Sequence, residues 1–324
     1  LKAIWHRGAV DADGKSGDGA GIQIEIAPDF FKEKILATGH SPEDDKRICV
    51  GMIFLPRTDY SKQEKCREII ESALLEENYN IYGWRQVPIN PSVLGKTADM
   101  NRPEIAQVMF KKNKNLETND LERDLFETRK KIEKVARENQ LDELYICSFS
   151  SRSIVYKGMF LAEMLSEFYL DLNDEKLTSR FAIFHQRYST NTFPSWDLAQ
   201  PFRMLAHNGE INAIQGNRNW VKARSSKFIT PLIPKIQKFK QLVNDSGSDS
   251  SSLDNMIELL IKGGVNIFRA IRMVMPPAWQ NTQSLDADIR AFHEYNSMHM
   301  EPWDGPAGIV MSDGKWSICM LDRN

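Results

Sequence analysis

The stretch from Phe181 to Asn219, FAIFHQRYSTNTFPSWDLAQPFRMLAHNGEINAIQGNRN, constrains the fold more than any other part of this chain. Two short apolar runs, Phe181–Phe184 and Met204–Ala206, each stop at a polar cluster. The first cluster is His185-Gln186-Arg187-Tyr188-Ser189-Thr190-Asn191-Thr192, and the second is His207-Asn208-Gly209-Glu210-Ile211-Asn212. Apolar runs too short for helices, ending on polar side chains, predict buried strands whose ends face a pocket. Arg187 would offer that pocket a planar fork for a carboxylate. Asn208-Gly209 would offer a side-chain amide beside an unhindered backbone N–H, the parts of an oxyanion hole. An isolated Asn-Gly is ordinarily a hairpin turn, and an isolated buried Arg is ordinarily a structural ion partner. Here Ile211–Ile214 and Trp220–Ala223 continue like an entering helix rather than a returning strand. The two clusters together suit a small anionic substrate.

Upstream, HRGAVDADGKSGDGAG (6–21) is a glycine-rich loop that leads into the alternating strand Ile22–Ile26. GDGAG resembles a phosphate-cradling loop, but a dinucleotide fingerprint needs a strand before it and a helix after it. Here the strand comes after, so the glycines are read as letting the backbone turn sharply near a pocket. A helix is predicted over Pro28–Ala37, an apolar strand over Ile48–Leu55 and an amphipathic helix over Ser61–Glu77. Trp84–Val87 and Ile105–Phe110 follow as strands. Asn119–Asn139 is a long helix with Leu121, Leu125, Ile132 and Val135 inward and its charges on a solvated face. Tyr145–Phe149 and Ser153–Tyr156 are strands around a Ser-Ser-Arg turn, and Met159–Asp171 is expected as one helix. Beyond the central stretch come helices over Asn212–Ser225 and Leu253–Lys262, the latter stopped by Gly263-Gly264. In Asp249-Ser250-Ser251-Ser252 any residue could be the N-cap. Pro276–Asn281 breaks the chain before a further helix from about Asp286 to Met298, and Ser312-Asp313-Gly314 turns a hairpin. Alternating strands and helices with antiparallel signals predict a layered α+β fold.

The net charge of −2 over 324 residues argues against a nucleic-acid partner, which would demand a basic excess. No apolar run approaches the length of a membrane helix, and the start lacks an apolar signal region. Cys49, Cys66, Cys147 and Cys319 show no metal-site spacing and are expected to be buried thiols, which places the chain in the cytoplasm or another reducing compartment. His293 and His299 are poorly spaced for a shared helical face and are taken as non-ligands; no metal site is expected. The chain opens on Leu1 and stops at Asn324 in a strand-rich passage, so both ends look cut.

HQRYSTNTFPSW followed by LAHNGEIN resembles the glutamine amidotransferase domain at the N-terminus of the glutamate synthase large subunit, a class II, N-terminal-nucleophile amidotransferase. Further blocks of that family occur in order: HRGAVDADGKSGDGAGI at 6–22, SGSDSSSLDN at 246–255 and EPWDGPAGIVMSDG at 301–314. The resemblance implies a single, incomplete domain over 1–324 with the four-layer αββα sandwich of N-terminal-nucleophile hydrolases. It implies hydrolysis of L-glutamine through a thioester. Arg187 would bind the α-carboxylate, and Asp249, with the Gly209 carbonyl, the α-ammonium. Asn208 and Gly209 would form the oxyanion hole. Arg7 would support the site, or else make an ordinary salt bridge. The nucleophile it implies is an N-terminal Cys ahead of Leu1 whose own α-amine is the base. None of the four cysteines fits that role, so the fragment is expected to be inactive alone. No cofactor is expected in the fragment. FMN and an iron–sulfur cluster are implied for synthase domains of the same polypeptide, with an NADPH-oxidising subunit or ferredoxin as partner. Another class II amidotransferase, or a catalytically silent glutamine-binding regulatory domain, are the competing readings.

Overall fold

The computed structural model describes residues 13–17, 19–42, 47–186, 194–239 and 241–322. Arg7 and Arg187 lie outside the described residues. In chain order the elements are β1 (Ala20–Glu25), α1 (Pro28–Leu36), β2 (Cys49–Leu55), α2 (Tyr60–Glu76), β3 (Tyr79–Gln86), α3 (Lys96–Met100), β4 (Glu104–Lys112) and α4 (Thr118–Glu138). They continue with β5 (Tyr145–Ser150), β6 (Ser153–Gly158), α5 (Leu165–Phe168), β7 (Ala182–His185), β8 (Leu205–Gly209), α6 (Ile214–Arg224) and α7 (Asp249–Lys262). The last are α8 (Ile267–Val274), α9 (Ala287–Ser297), β9 (Ala307–Ser312) and β10 (Ser317–Asp322). The chain divides into two compact units, with the boundary between Arg203 and Met204.

The first unit holds two antiparallel sheets, ordered β6-β1-β7 and β3-β4-β2-β5. β2 is buried along its whole length, which explains why its sequence is continuously apolar rather than alternating. Val50, Met52 and Phe54 join a core with Ile24, Ile154 and Tyr156 of the other sheet. Cys49, Ile53 and Leu55 point the opposite way, into a core built by Cys66, Ile70 and Leu74 of α2 and Leu121, Leu125 and Ile132 of α4. Each such side chain contributes roughly 1.5–3 kcal/mol on burial. The layers are therefore sheet, sheet, helix, and the α+β class and the β-on-β packing expected of the sandwich are both present. β5 and β6 do not pair as a hairpin. They belong to different sheets, and Ser150-Ser151-Arg152 is the corner between them.

The glycine-rich loop ends as the sequence implies, in a strand. Gly21 sits where a Cβ would come within 2.6 Å of Lys157 Cβ and 2.7 Å of the Gln200 carbonyl, so close backbone approach requires glycine there.

Two expectations for this unit are corrected. The charges of α4 are not all solvated. Glu122, Arg129 and Lys130 are buried. Glu122 accepts hydrogen bonds from Ser150 Oγ (2.9 Å), Ser151 N–H (2.7 Å) and Ser151 Oγ (2.8 Å), pinning the β5–β6 corner. Arg129 and Lys130 both pair with Glu133. Burial pushes the Glu133 carboxyl up, but the charges of Arg129, Lys130 and Arg203 overcome it and hold the group far below the usual carboxylate range. Met159–Asp171 is not one helix either. It breaks into two short 3-10 turns flanking α5, because Tyr169 is extended. Its neighbours spend their backbone groups on another segment: the Phe168 carbonyl accepts from Asn90 N–H (2.9 Å), and Leu170 N–H donates to the Pro88 carbonyl (3.1 Å).

The second unit carries the antiparallel sheet β10-β9-β8 with α6 to α9. β9 and β10 form the expected hairpin. Among the described residues no helix is long and apolar enough to cross a membrane.

Candidate active site

Asn208 and Gly209 are the last two residues of β8, opposite Gly308 and Ala307 of β9. They are strand, not hairpin turn, and α6 begins five residues later. His207 is buried, and Asn208, nearer the end of the strand, is exposed. Gly209 adopts φ +149°, and a Cβ there would lie 1.8 Å from the Pro306 carbonyl oxygen. Only glycine fits, both for conformation and for space. The segment beyond is fixed from the same side: Glu210 N–H donates to the Pro306 carbonyl (3.1 Å) and Asn212 N–H to the Asp304 carbonyl (2.8 Å).

Helix α7 holds the other side of β8. Its N-cap is Ser248, whose hydroxyl accepts from Ser251 N–H at 3.1 Å. Asp249 is thus the first helical residue and not the cap, which frees its carboxylate from that role, and the helix starts four residues before the predicted Leu253. Asp254 accepts from Met204 and Leu205 N–H (2.7 and 3.1 Å). Ser250 Oγ lies 2.8 Å from His207 Nδ1. Asp249 Oδ2 accepts from Ile211 N–H at 2.8 Å. Asp254 therefore grips the start of β8 and Asp249 its far end, so α7 runs antiparallel to the strand. Its positive end lies where Asn208 and Gly209 are, which suits a developing negative charge. Arg218 of α6 latches the loop before α7, donating to the carbonyls of Gly247 (2.6 Å) and Ser248 (3.2 Å) and to Ser252 Oγ.

The structure thus brings Asn208, Gly209 and Asp249 into one framework. His207 and Ser250 went unremarked in the sequence as functional residues. The signal for them was a histidine directly before Asn-Gly and a serine directly after the key aspartate. Burial pushes the His207 imidazole below its ordinary value, with the Asp249 charge and the Pro306 backbone acting in the opposite direction.

The comparison with known families decides the matter: the family described as "Glutamine amidotransferases class-II" matches residues 1–324. The chain belongs to the class II glutamine amidotransferases. It is 49% identical over 325 residues to the glutamate synthase (NADPH) large chain of Azospirillum brasilense, covering 100% of this chain and 21% of that one. It is 44% identical over 330 residues to the ferredoxin-dependent glutamate synthase of Pyropia yezoensis (100% and 21%). Against ferredoxin-dependent glutamate synthase 1 of Arabidopsis thaliana the identity is 43% over 329 residues (100% and 20%). The chain spans about a fifth of the length of these relatives.

The four cysteines differ in their surroundings. Cys49, Cys66 and Cys147 are buried as expected, but Cys319 is exposed. It lies on β10, at the open edge of its sheet, where an apolar sequence run does not guarantee cover. Burial pushes the thiol of Cys66 up to about 11, that of Cys147 up to about 12 and that of Cys49 well above its ordinary value. Thiols so placed are inert. Alkylation of the folded chain at pH 8, read by peptide mass, is expected to modify Cys319 and spare the other three until denaturant is added. Equal labelling of all four would contradict this.

Proposed function

We propose that this chain is the glutamine-hydrolysing domain of a glutamate synthase large subunit, both of its compact units belonging to that one domain. The observation that carries the reading is the placement of Asn208-Gly209 at the exposed end of β8, in a segment tied through Ile211 to the carboxylate of Asp249. The substrate is L-glutamine. Arg187 takes its α-carboxylate, and Asp249, helped by the Gly209 carbonyl, its α-ammonium. An N-terminal cysteine ahead of Leu1, with its own α-amine as base, attacks the side-chain amide carbon. The oxyanion of the tetrahedral adduct is met by the Asn208 amide and the Gly209 N–H. Collapse expels ammonia, which takes up the proton held by the α-amine, and leaves a γ-glutamyl thioester. Water then releases glutamate and restores the thiol. Arg7 supports the site.

The ammonia passes to synthase domains of the same polypeptide for reductive transfer to 2-oxoglutarate. FMN and an iron–sulfur cluster reside in those domains, and the electrons come from an NADPH-oxidising subunit or ferredoxin. A reducing compartment, such as the cytoplasm, suits a thiolate enzyme with buried reduced cysteines.

The assignment of Asp249 is tested with Asp249→Asn in the full-length gene product. Asparagine keeps an oxygen for Ile211 N–H and loses the charge. Loss of a close charge partner for the ammonium, at about 2 kcal/mol or more, is expected to raise KM for L-glutamine at least about 30-fold. An unchanged KM would remove Asp249 from substrate recognition.

A further inference from the structure

We infer that His207 is a positioning residue which, through Ser250, couples recognition of the α-ammonium at Asp249 to the geometry of the Asn208-Gly209 oxyanion pair. The inference rests on the glutaminase reading above and assigns a role to a side chain that reading does not use.

The argument begins with where the ring sits. His207 is 2% exposed, and a histidine can be buried simply to fill space. This one has a polar partner on its Nδ1 edge. Nδ1 lies 2.8 Å from Ser250 Oγ. Nε2 lies under Gly209, at 3.0 Å from where a Cβ would be, beside the Pro306 carbonyl that also limits that glycine.

Ser250 is in turn bound to Asp249. Its N–H donates to Asp249 Oδ1 at 2.7 Å, and its hydroxyl lies 3.3 Å from the same oxygen. The other carboxylate oxygen accepts from Ile211 N–H at 2.8 Å. The contacts close a circuit: along the main chain from His207 to Ile211, across to Asp249, then through Ser250 back to the ring. Asn208 and Gly209 are inside it. A carboxylate that takes up an ammonium ion thereby tightens both ends of the segment that carries the oxyanion donors. Networks of this kind act as units, so removing one link affects the others.

The test compares two amides in the full-length gene product, L-glutamine and glutaramate, which is glutamine without its α-amino group. His207→Ala is expected to lower kcat for L-glutamine about tenfold or more, with KM changed less than about threefold. Glutaramate cannot engage the circuit, so its turnover should change less than about threefold. Ser250→Ala, which removes one oxygen, should reproduce the pattern and carries the test if His207→Ala does not fold. Equal loss with both amides, or a loss confined to KM, would mean that His207 only fills space and would overturn the coupling. A wild-type protein that releases no ammonia from glutamine would instead overturn the glutaminase reading, and the coupling with it.

Discussion

Replacing Asn208 by alanine should lower glutamine turnover by about 10²–10³-fold, the loss expected when one oxyanion donor is removed. The fold should barely notice. Asn208 is exposed at the end of β8, and among the described residues its side chain has no recorded hydrogen bond. Exposed substitutions of this kind change stability by within about 0.5 kcal/mol. Turnover and thermal unfolding of the full-length variant, measured side by side, separate the two effects. Full activity in a folded Asn208→Ala protein would sink the oxyanion assignment.

The largest effect on stability is expected far from that strand. Asp171 and Arg85 form a bidentate pair, both contacts at 2.8 Å, with Asp171 3% exposed. Asp171 also accepts from Tyr156 OH at 3.1 Å, and Gln107 bridges Arg85 and Tyr156. Removing Asp171 leaves the Arg85 guanidinium, 14% exposed, without its counter-charge. Asp171→Ala should cost about 3–5 kcal/mol, a large part of the ~5–15 kcal/mol that holds a domain together. Glu25–Arg180 is the internal control. Its arginine is 86% exposed, so Arg180→Ala should cost less than about 1 kcal/mol. Chemical denaturation of the two variants measures both. Equal losses would mean that burial is not what gives the Asp171 pair its weight.

That pair also shows why sequence reading stops where it does. The strands and helices were legible because their apolar residues recur at the right spacing, and because β2, buried on both faces, is apolar throughout. Met159–Asp171 has helical spacing too. It fails as a single helix because Phe168 and Leu170 pair with Asn90 and Pro88, and Asp171 turns inward to Arg85. Those partners lie some eighty residues away in the chain, and no local pattern reports them. The buried charges of α4 have the same origin: Glu122 is satisfied by a corner between two later strands. At the candidate site, Asn208-Gly209 stands out in the sequence as a motif, and Asp249 only through the family resemblance. The hydrogen bonds that join them through Ser250 and His207 depend on α7 lying antiparallel to β8, a relation that exists only in three dimensions.

The central claim is that this chain forms the site where glutamine loses its amide nitrogen. The most direct measurement is nuclear magnetic resonance of the full-length gene product supplied with L-glutamine labelled with ¹⁵N at the amide. The account predicts labelled ammonium and unlabelled glutamate in equal amounts, both formed about 10²–10³-fold more slowly when Asn208 is replaced by alanine. Bound glutamine that persists without releasing ammonium would contradict it, and would make the domain a sensor of glutamine instead of its hydrolase.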